Sequence, residues 1–412
     1  MTSPSSVPRL ANSERPGAAS PAGPPALTLA ALAVALFWAI EGIDVNAPQI
    51  ERVAILVSAI ALGWSALRGA PSAPAWTAYL AVLLAISERL RRTPLLDGSD
   101  VLRATSESLA IVARGGNPYA SFLTSTIPQG SPFVYPPGEL AWYAIPQWLL
   151  GDLTRVDTWA GVLIVVAVGL AGFRVGFDAV ALPAMLYAAW GTAGYRAIDG
   201  SNDVSASALV VLACVALVFA TGEGPWARRA FLASAALFGW AIAFKQFSLL
   251  VLPPVARHLA TSGANWRRYT VVALGVAAAF ALPFFLWDPA AFVGAQVQAL
   301  TFHQEIWGTN ILNTLRQLDD PSGLVPLFVA IETVGTIALV TLVVTRWDAP
   351  TLGAAILVGT GLVLVPLLFA RWTTQPYYAY IGGIVVTGLA LAGVSNRRGT
   401  IAAPTSADTV VD

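Results

Sequence analysis

Apolar residues along this chain come in long runs, not in alternation. Runs near the length of about 20 residues that crosses a bilayer at 1.5 Å rise per residue recur from Leu27 to Gly393. They place spans near 27–43, 53–68, 74–90, 157–173, 177–193, 204–220, 229–243, 247–258, 269–286, 324–345, 351–369 and 376–394. A further apolar stretch, 134–150, carries Tyr135-Pro136-Pro137 and Pro146. It suits a re-entrant or surface helix, since broken backbone is tolerated at membrane depth where protein buries it. The expected fold class is all-α: a polytopic transmembrane bundle of about twelve spans, with amphipathic surface helices in its outer loops. Residues 1–25, rich in Ser, Pro, Ala and Gly, read as a disordered tail, and 395–412 as a second one. A single membrane domain, 26–394, lies between them, with 89–156 as its first large outer loop.

One polar segment has a clear helical pattern. At 100° per residue, Asp100, Arg103, Glu107 and Arg114 share one face, and Val101, Leu102, Leu109, Val112 and Ala113 the other. This is the pattern of a helix lying at the membrane surface. Asp100 sits at its start, where the helix dipole favours a carboxylate. Glu107 is placed to pair with Arg103, and Gly115-Gly116-Asn117-Pro118-Tyr119 ends the helix sharply.

Composition agrees with a bilayer as solvent. Hydrophobic residues make up 56% of the chain and charged residues only 11%, against about 25% in soluble domains. The formal net charge is zero, so no basic field argues for nucleic acid. The single cysteine, Cys214, lies in an apolar run and reads as a small buried hydrophobe. No histidine or cysteine cluster suggests a metal site. The positive-inside rule puts Arg68, Arg174, Arg228, Arg229, Arg257, Arg267, Arg268, Arg346, Arg397 and Arg398 together on the cytoplasmic side. Both termini are then cytoplasmic in a multi-pass cell-membrane protein. Loops near 89–156, 194–203 and 287–323 fall on the outer face with most of the carboxylates.

Lys245 is the only lysine, set between apolar residues in Ala243-Phe244-Lys245-Gln246-Phe247. An ionisable group in such a place is a functional-site candidate by default, against the alternative of a lysine that snorkels from a tight turn. Asn202 either caps the following helix or faces a ligand. Arg89, Arg91 and Arg92 form a cluster at an outer helix end, suited to an anionic lipid headgroup. His303, Trp307 and Asn310 read as part of a surface helix.

An aspartate in the first large outer loop, a helix, then Gly116-Asn117-Pro118-Tyr119 and Tyr135-Pro136-Pro137, resembles the GT-C glycosyltransferases. The likeness is nearest to the polyprenol-phosphate-sugar-dependent branch that includes GT87-type mannosyltransferases. Gly200-Ser201-Asn202-Asp203, Lys245 after an apolar run, and Gly308-Thr309-Asn310-Ile311-Leu312 with Arg316 agree with it in order. The resemblance implies inverting transfer of a sugar, with mannose as the family-level guess. The donor would be a polyprenyl-phosphate sugar and the acceptor a lipid or glycan on the extracytoplasmic face. It implies an aspartate base, Asp100 as first choice and Asp97 as runner-up in a D-x-x-D that departs from the family's usual pattern. Lys245, Arg103 and Arg371 would bind the donor phosphate, and Asn202, Asp203, Tyr135, His303 and Asn310 the substrates. No cofactor is called for, and a divalent metal stays open, because arginine and lysine alone could neutralise the phosphate. The alternative from another class is a lipid-linked sugar flippase or other transporter, which should show inverted repeats and paired broken helices.

Overall fold

A computed structural model describes residues 100–392, except 127–128, 223, 302–305 and 319, together with fourteen scattered positions between Val53 and Ser99, among them Tyr79, Arg89, Pro94 and Leu95. The expected spans at 27–43, 53–68 and 74–90 lie wholly or largely outside the described residues, as do both tails, Asp97, His303, Arg91 and Arg92.

The described chain is helical. Its one strand pair is two residues long, Trp307–Gly308 parallel to Trp372–Thr373. Among the described residues, five helices are long and apolar enough to cross a membrane: Val156–Val175, Pro225–Phe244, Trp266–Trp287, Ser322–Arg346 and Leu352–Phe369. A sixth span is formed if Gly191–Ile198 and Asp203–Phe219, which meet at 114°, count as one. The protein is an all-α membrane bundle.

Asp203–Phe219 lies at the centre, packed by Val156–Val175, Pro225–Phe244 and Gln375–Ala392. Small residues allow this: Ser205, Ala206, Ser207, Ala208 and Ala213 are all buried on the central helix, and small side chains let helices approach closely where lipid offers no hydrophobic drive. Trp266–Trp287 and Ser322–Arg346 are equally apolar but turn Val271, Leu282, Leu286, Val334, Ile337 and Leu342 outward, as lipid-facing helices do.

Two expected spans take other forms. The 177–193 run becomes Phe177–Ala189, a break at Trp190, and Gly191–Ile198. The 247–258 run becomes a 3-10 turn, Gln246–Leu250, followed by Leu252–Thr261. Pro253 and Pro254 sit in the first turn of that helix and lack the N–H a helix continuous with the preceding turn would need. The 134–150 stretch forms Pro137–Leu150, opened by Pro137 at the first helical position.

The surface segment is a helix, Asp100–Ala113, with Ser99 Oγ accepting from Val101 N at 3.1 Å. Its buried stripe is not the apolar face the periodicity suggested. Ala104, Thr105 and Ser108 are buried, while Val101, Leu102, Leu109 and Val112 are only half-buried. The helix is pressed against protein through small side chains. Glu107 does not pair with Arg103. It accepts from the backbone N–H and hydroxyl groups of Thr124 and Ser125, at 2.6–3.0 Å. These bonds to the ionised form outweigh partial burial and hold its carboxyl below the usual range.

Candidate active site

Three helix N-termini meet at one end of the bundle, each with a buried acid in its first turn: Glu139, Asp157 and Asp203. The positive end of a helix dipole favours a carboxylate there. Asp157 is fully partnered, accepting from Tyr143 Oη at 2.6 Å, Ser205 Oγ at 2.6 Å and Ser205 N at 3.2 Å. It ties Val156–Val175 to the central helix.

Lys245 enters this cluster because its helix stops. Pro225–Phe244 ends where Lys245 turns extended, φ −145°, ψ 116°. The residue is buried. Its ammonium forms an ion pair with Asp203, donates to Asn202 Oδ1 at 3.2 Å, and lies 4.7 Å from the centre of the Tyr377 ring. A lysine has three N–H donors, so two are already committed. This is a buried, paired charge and not a snorkelling one.

Asn202 is the one non-glycine residue at positive φ among the described residues, φ 61°, a conformation asparagine tolerates better than most. It does not cap the helix with its side chain. That backbone turn aims the amide inward instead, where Nδ2 donates to Glu139 Oε2 at 2.7 Å. Glu139 Oε1 lies 2.7 Å from Thr105 Oγ1 on the Asp100–Ala113 helix. One chain of contacts therefore runs from Thr105 through Glu139 and Asn202 to Lys245 and Asp203.

Gly138 makes the close approach. A Cβ there would stand 2.6 Å from the Ala243 carbonyl carbon, and the Trp240 indole N–H donates to Gly138 O at 2.8 Å. Gly200, at φ 73°, lies against Leu102, and Ser99 N donates to Asp199 O at 2.8 Å. These contacts dock the start of the Asp100 helix onto the loop that carries Asn202.

Asp100 is half-buried at the rim, and no hydrogen bond or ion pair holds its carboxylate among the described residues. Arg103, one turn on, is exposed and equally unengaged. Tyr135 lies within electrostatic reach of Glu139, Tyr377, Asp100 and Asp203. Asp100, Tyr135, Asn202, Asp203 and Lys245 thus share one end of the bundle.

Other expected residues have structural work. Asn310 is buried and does not lie on a surface helix. Its Oδ1 accepts from Asn313 N at 2.8 Å to cap Ile311–Arg316, and its Nδ2 donates to Trp307 O and Arg371 O at 2.7 and 3.2 Å. The segment before it is strand because Gly308, at φ 99°, runs against the Thr373 backbone. Arg371 is half-buried beside this pair, facing Glu332. Arg89 is buried with its guanidinium donating to Tyr187 O at 2.7 Å, where Phe177–Ala189 ends. It serves the helix break, not a headgroup. Glu139 and Asp157 are the site residues that sequence reasoning missed. The signal was there: an acid directly after Pro-Pro-Gly, and an acid opening an apolar run.

Among the described residues, no group of three His, Cys, Asp or Glu side chains could hold a metal ion.

These features define a polytopic helical membrane protein with a buried polar cluster at one end and an open carboxylate beside it. No protein-family model and no curated protein matches the chain. Among solved structures it is similar to ArnT from Cupriavidus metallidurans in the apo state, at 17% identity and a TM-score of 0.48, covering 82% of this chain and 61% of ArnT. ArnT bound to undecaprenyl phosphate aligns at 17% identity and a TM-score of 0.46, over 80% of this chain and 61% of that one. An oligosaccharyltransferase from Archaeoglobus fulgidus, in complex with Zn and sulfate, aligns at 16% identity and a TM-score of 0.42, over 76% and 48%. The chain spans about 61% of the length of ArnT.

Proposed function

We propose that this protein is an inverting membrane glycosyltransferase that moves a sugar from a polyprenyl-phosphate donor to a hydroxyl of a lipid or glycan acceptor. The site end faces the extracytoplasmic side and the arginine-rich end the cytoplasm, by the positive-inside rule. The observation that carries this reading is an unengaged carboxylate, Asp100, beside an exposed arginine and a buried lysine cluster at the same end of an apolar bundle.

In the reaction, the acceptor oxygen attacks the anomeric carbon as Asp100 takes its proton. The bond from that carbon to the phosphate oxygen breaks, configuration inverts, and polyprenyl phosphate leaves with the electron pair. Arg103 is the free cation one helical turn from the base, and its forked donors suit a phosphate. Lys245 offers one remaining N–H and a local positive potential. Arg371 stands further along as a second phosphate contact. Tyr135 and Tyr377 offer ring faces and hydroxyls to the sugar. Mannose is the sugar to try first.

Purified protein in lipid, given a panel of polyprenyl-phosphate sugars, tests the reading. Donor-dependent transfer that Asp100→Asn removes while donor binding persists supports it. Transfer that survives Asp100→Asn moves the base to Asp97. Movement of the intact lipid-linked sugar between leaflets without transfer replaces the enzyme with the transporter.

A further inference from the structure

Glu139 is fully buried, with two neighbours at hydrogen-bond distance, Thr105 and Asn202. Both neighbours are uncharged, and the nearby cation, Lys245, is already paired with Asp203. Thr105 Oγ1 lies 2.8 Å from Val101 O and 2.7 Å from Glu139 Oε1. A threonine hydroxyl has one proton to donate, and a backbone carbonyl can only accept. Val101 O already accepts from Thr105 N within the helix, so these hydrogen bonds can be completed with Glu139 ionised or protonated; what an ionised Glu139 lacks is a charged partner of its own, which is costly away from water. If Glu139 carries a proton on Oε1, every bond is made and no unpaired charge is buried. Glu139 donates to Thr105, Thr105 donates to Val101 O, and Oε2 still accepts from Asn202.

Charge counting agrees. The groups facing Glu139 are Lys245 just past Pro225–Phe244, Asp157 from Val156–Val175, Tyr143 on its own helix, and Tyr119 and Tyr135 from the segment before it. Asp203 already neutralises Lys245. An ionised Glu139 would leave the Lys245–Asp203–Glu139 group at a net charge of minus one, beside the partnered carboxylate of Asp157. An uncharged Glu139 leaves that group neutral, so an approaching anion meets no repulsion from it.

We propose that Glu139 is the positioning residue of this site, held as an uncharged carboxylic acid that orients Asn202, and through it Lys245, toward an anionic phosphate, and that its ionisation switches phosphate binding off. The protonation state stands on the full burial of Glu139 and on the pairing of Lys245 with Asp203; its effect on phosphate rests on the function proposed above. Burial pushes the carboxyl up from 4.5 to about 8, outweighing the bonds from Thr105 and Asn202 and the nearby Lys245 charge. The folded state therefore holds a proton that the unfolded state loses. The stability this contributes is complete below 4.5 and falls away as pH rises through about 8.

Glu139→Gln reproduces the uncharged acid, because an amide donates to Thr105 and accepts from Asn202 in the same places. Two measurements read the protonation state without turnover. The infrared difference spectrum of wild type minus Glu139→Gln at about pH 6 should contain a protonated-carboxyl stretch that bleaches near pH 8. The melting temperature of wild type should fall between about pH 6 and pH 9 by more than that of Glu139→Gln. A carboxylate band at pH 6, or parallel melting curves, overturns the proposal. Glu139→Ala, expected to melt lower at every pH, shows how much the hydrogen bonds alone contribute.

Binding of undecaprenyl phosphate to the protein in nanodiscs then reads the switch. Wild-type affinity should drop by about tenfold relative to Glu139→Gln over the same pH range. Equal pH dependence in the two proteins overturns the switch. Binding to neither at any pH overturns the function proposed above, while the infrared and melting results still decide the state of Glu139.

Discussion

Two ion pairs mark opposite ends of the bundle, and they differ in nearly everything except their chemistry. Lys245 and Asp203 are paired with side chains 8% and 3% exposed. Arg257 and Asp348 are paired at 2.8 Å with side chains 29% and 83% exposed. The first is wrapped in further bonds, to Asn202 and the Tyr377 ring. The second belongs to the arginine-rich end, where Arg228, Arg229, Arg267, Arg268 and Arg346 are exposed. Taking two charges out of water costs several kcal/mol per ion before their attraction repays it. An exposed pair meets little of that cost and returns little. A chain with one lysine that buries it against an aspartate has accepted a desolvation cost that stability alone would not require. Hydrophobic residues of the same volume are often as stable in such a place. The difference between the two ends is thus a physical reason to put the chemistry at the Lys245 end.

The comparison breaks most visibly at Lys245. Lys245→Ala should lower stability by about 3–5 kcal/mol, because Asp203 and Asn202 then lose a buried partner. Thermal or denaturant unfolding in detergent checks it. The double variant Lys245→Met with Asp203→Leu removes both charges and should recover most of that loss without recovering transfer. Recovery of transfer as well would make the pair purely structural. Asp100→Asn should do the reverse. It should cut transfer by about 10²–10⁴-fold and leave the melting temperature within about 1 °C, since no partner holds the carboxylate.

The contrast between the ends was partly legible in the sequence. Apolar runs and arginine positions marked the bundle and its arginine-rich end, since each is a local property of composition. Lys245, Asn202 and Asp203 stood out because charged or amide groups interrupt apolar runs. What stayed hidden was pairing across the sequence. Nothing near Glu139 says that Thr105, 34 residues earlier, and Asn202, 63 residues later, will meet it. Helical periodicity also misjudged the Asp100–Ala113 helix. It weighs apolar size, whereas this helix docks through Ala104, Thr105 and Ser108, where close approach matters more than hydrophobic area. Spacing pairs Glu107 with its local partner, Arg103, whereas in the fold it takes the loop at Thr124 and Ser125. Four donors in fixed positions outcompete one exposed guanidinium, whose pairing at i,i+4 is worth only a few tenths of a kcal/mol.

Close approach predicts a smaller effect at Gly138. Gly138→Ala places a methyl group 2.6–2.9 Å from Ala243 atoms, two of them backbone. The Pro137–Leu150 helix must then move away from Pro225–Phe244, weakening the Trp240 bond to Gly138 O. Overpacking of this kind costs about 1–3 kcal/mol. Because the shift carries Glu139 away from Asn202, donor affinity should fall together with stability. Gly151→Ala at the far end of the same helix, where a Cβ meets nothing within 4 Å but φ is 69°, should lower stability without touching affinity. Equal affinity losses in the two variants would disconnect the Gly138 contact from the site.

The smallest effect belongs to the exposed pair. Arg257→Ala removes the ion pair to Asp348 and the bond from Nε to Trp347 O at 2.9 Å. Water replaces both at an open surface, so the expected loss is at most about 1 kcal/mol, and high salt should shrink it further. The Lys245 variants should be far less sensitive to salt, since buried pairs are screened little. Melting each variant and wild type at low and high salt therefore sharpens the comparison between the two ends. If Arg257→Ala destabilised as much as Lys245→Ala and did so at every salt concentration, exposure would not be what separates the ends. The case for chemistry at the Lys245 end would then rest on Asp100 alone.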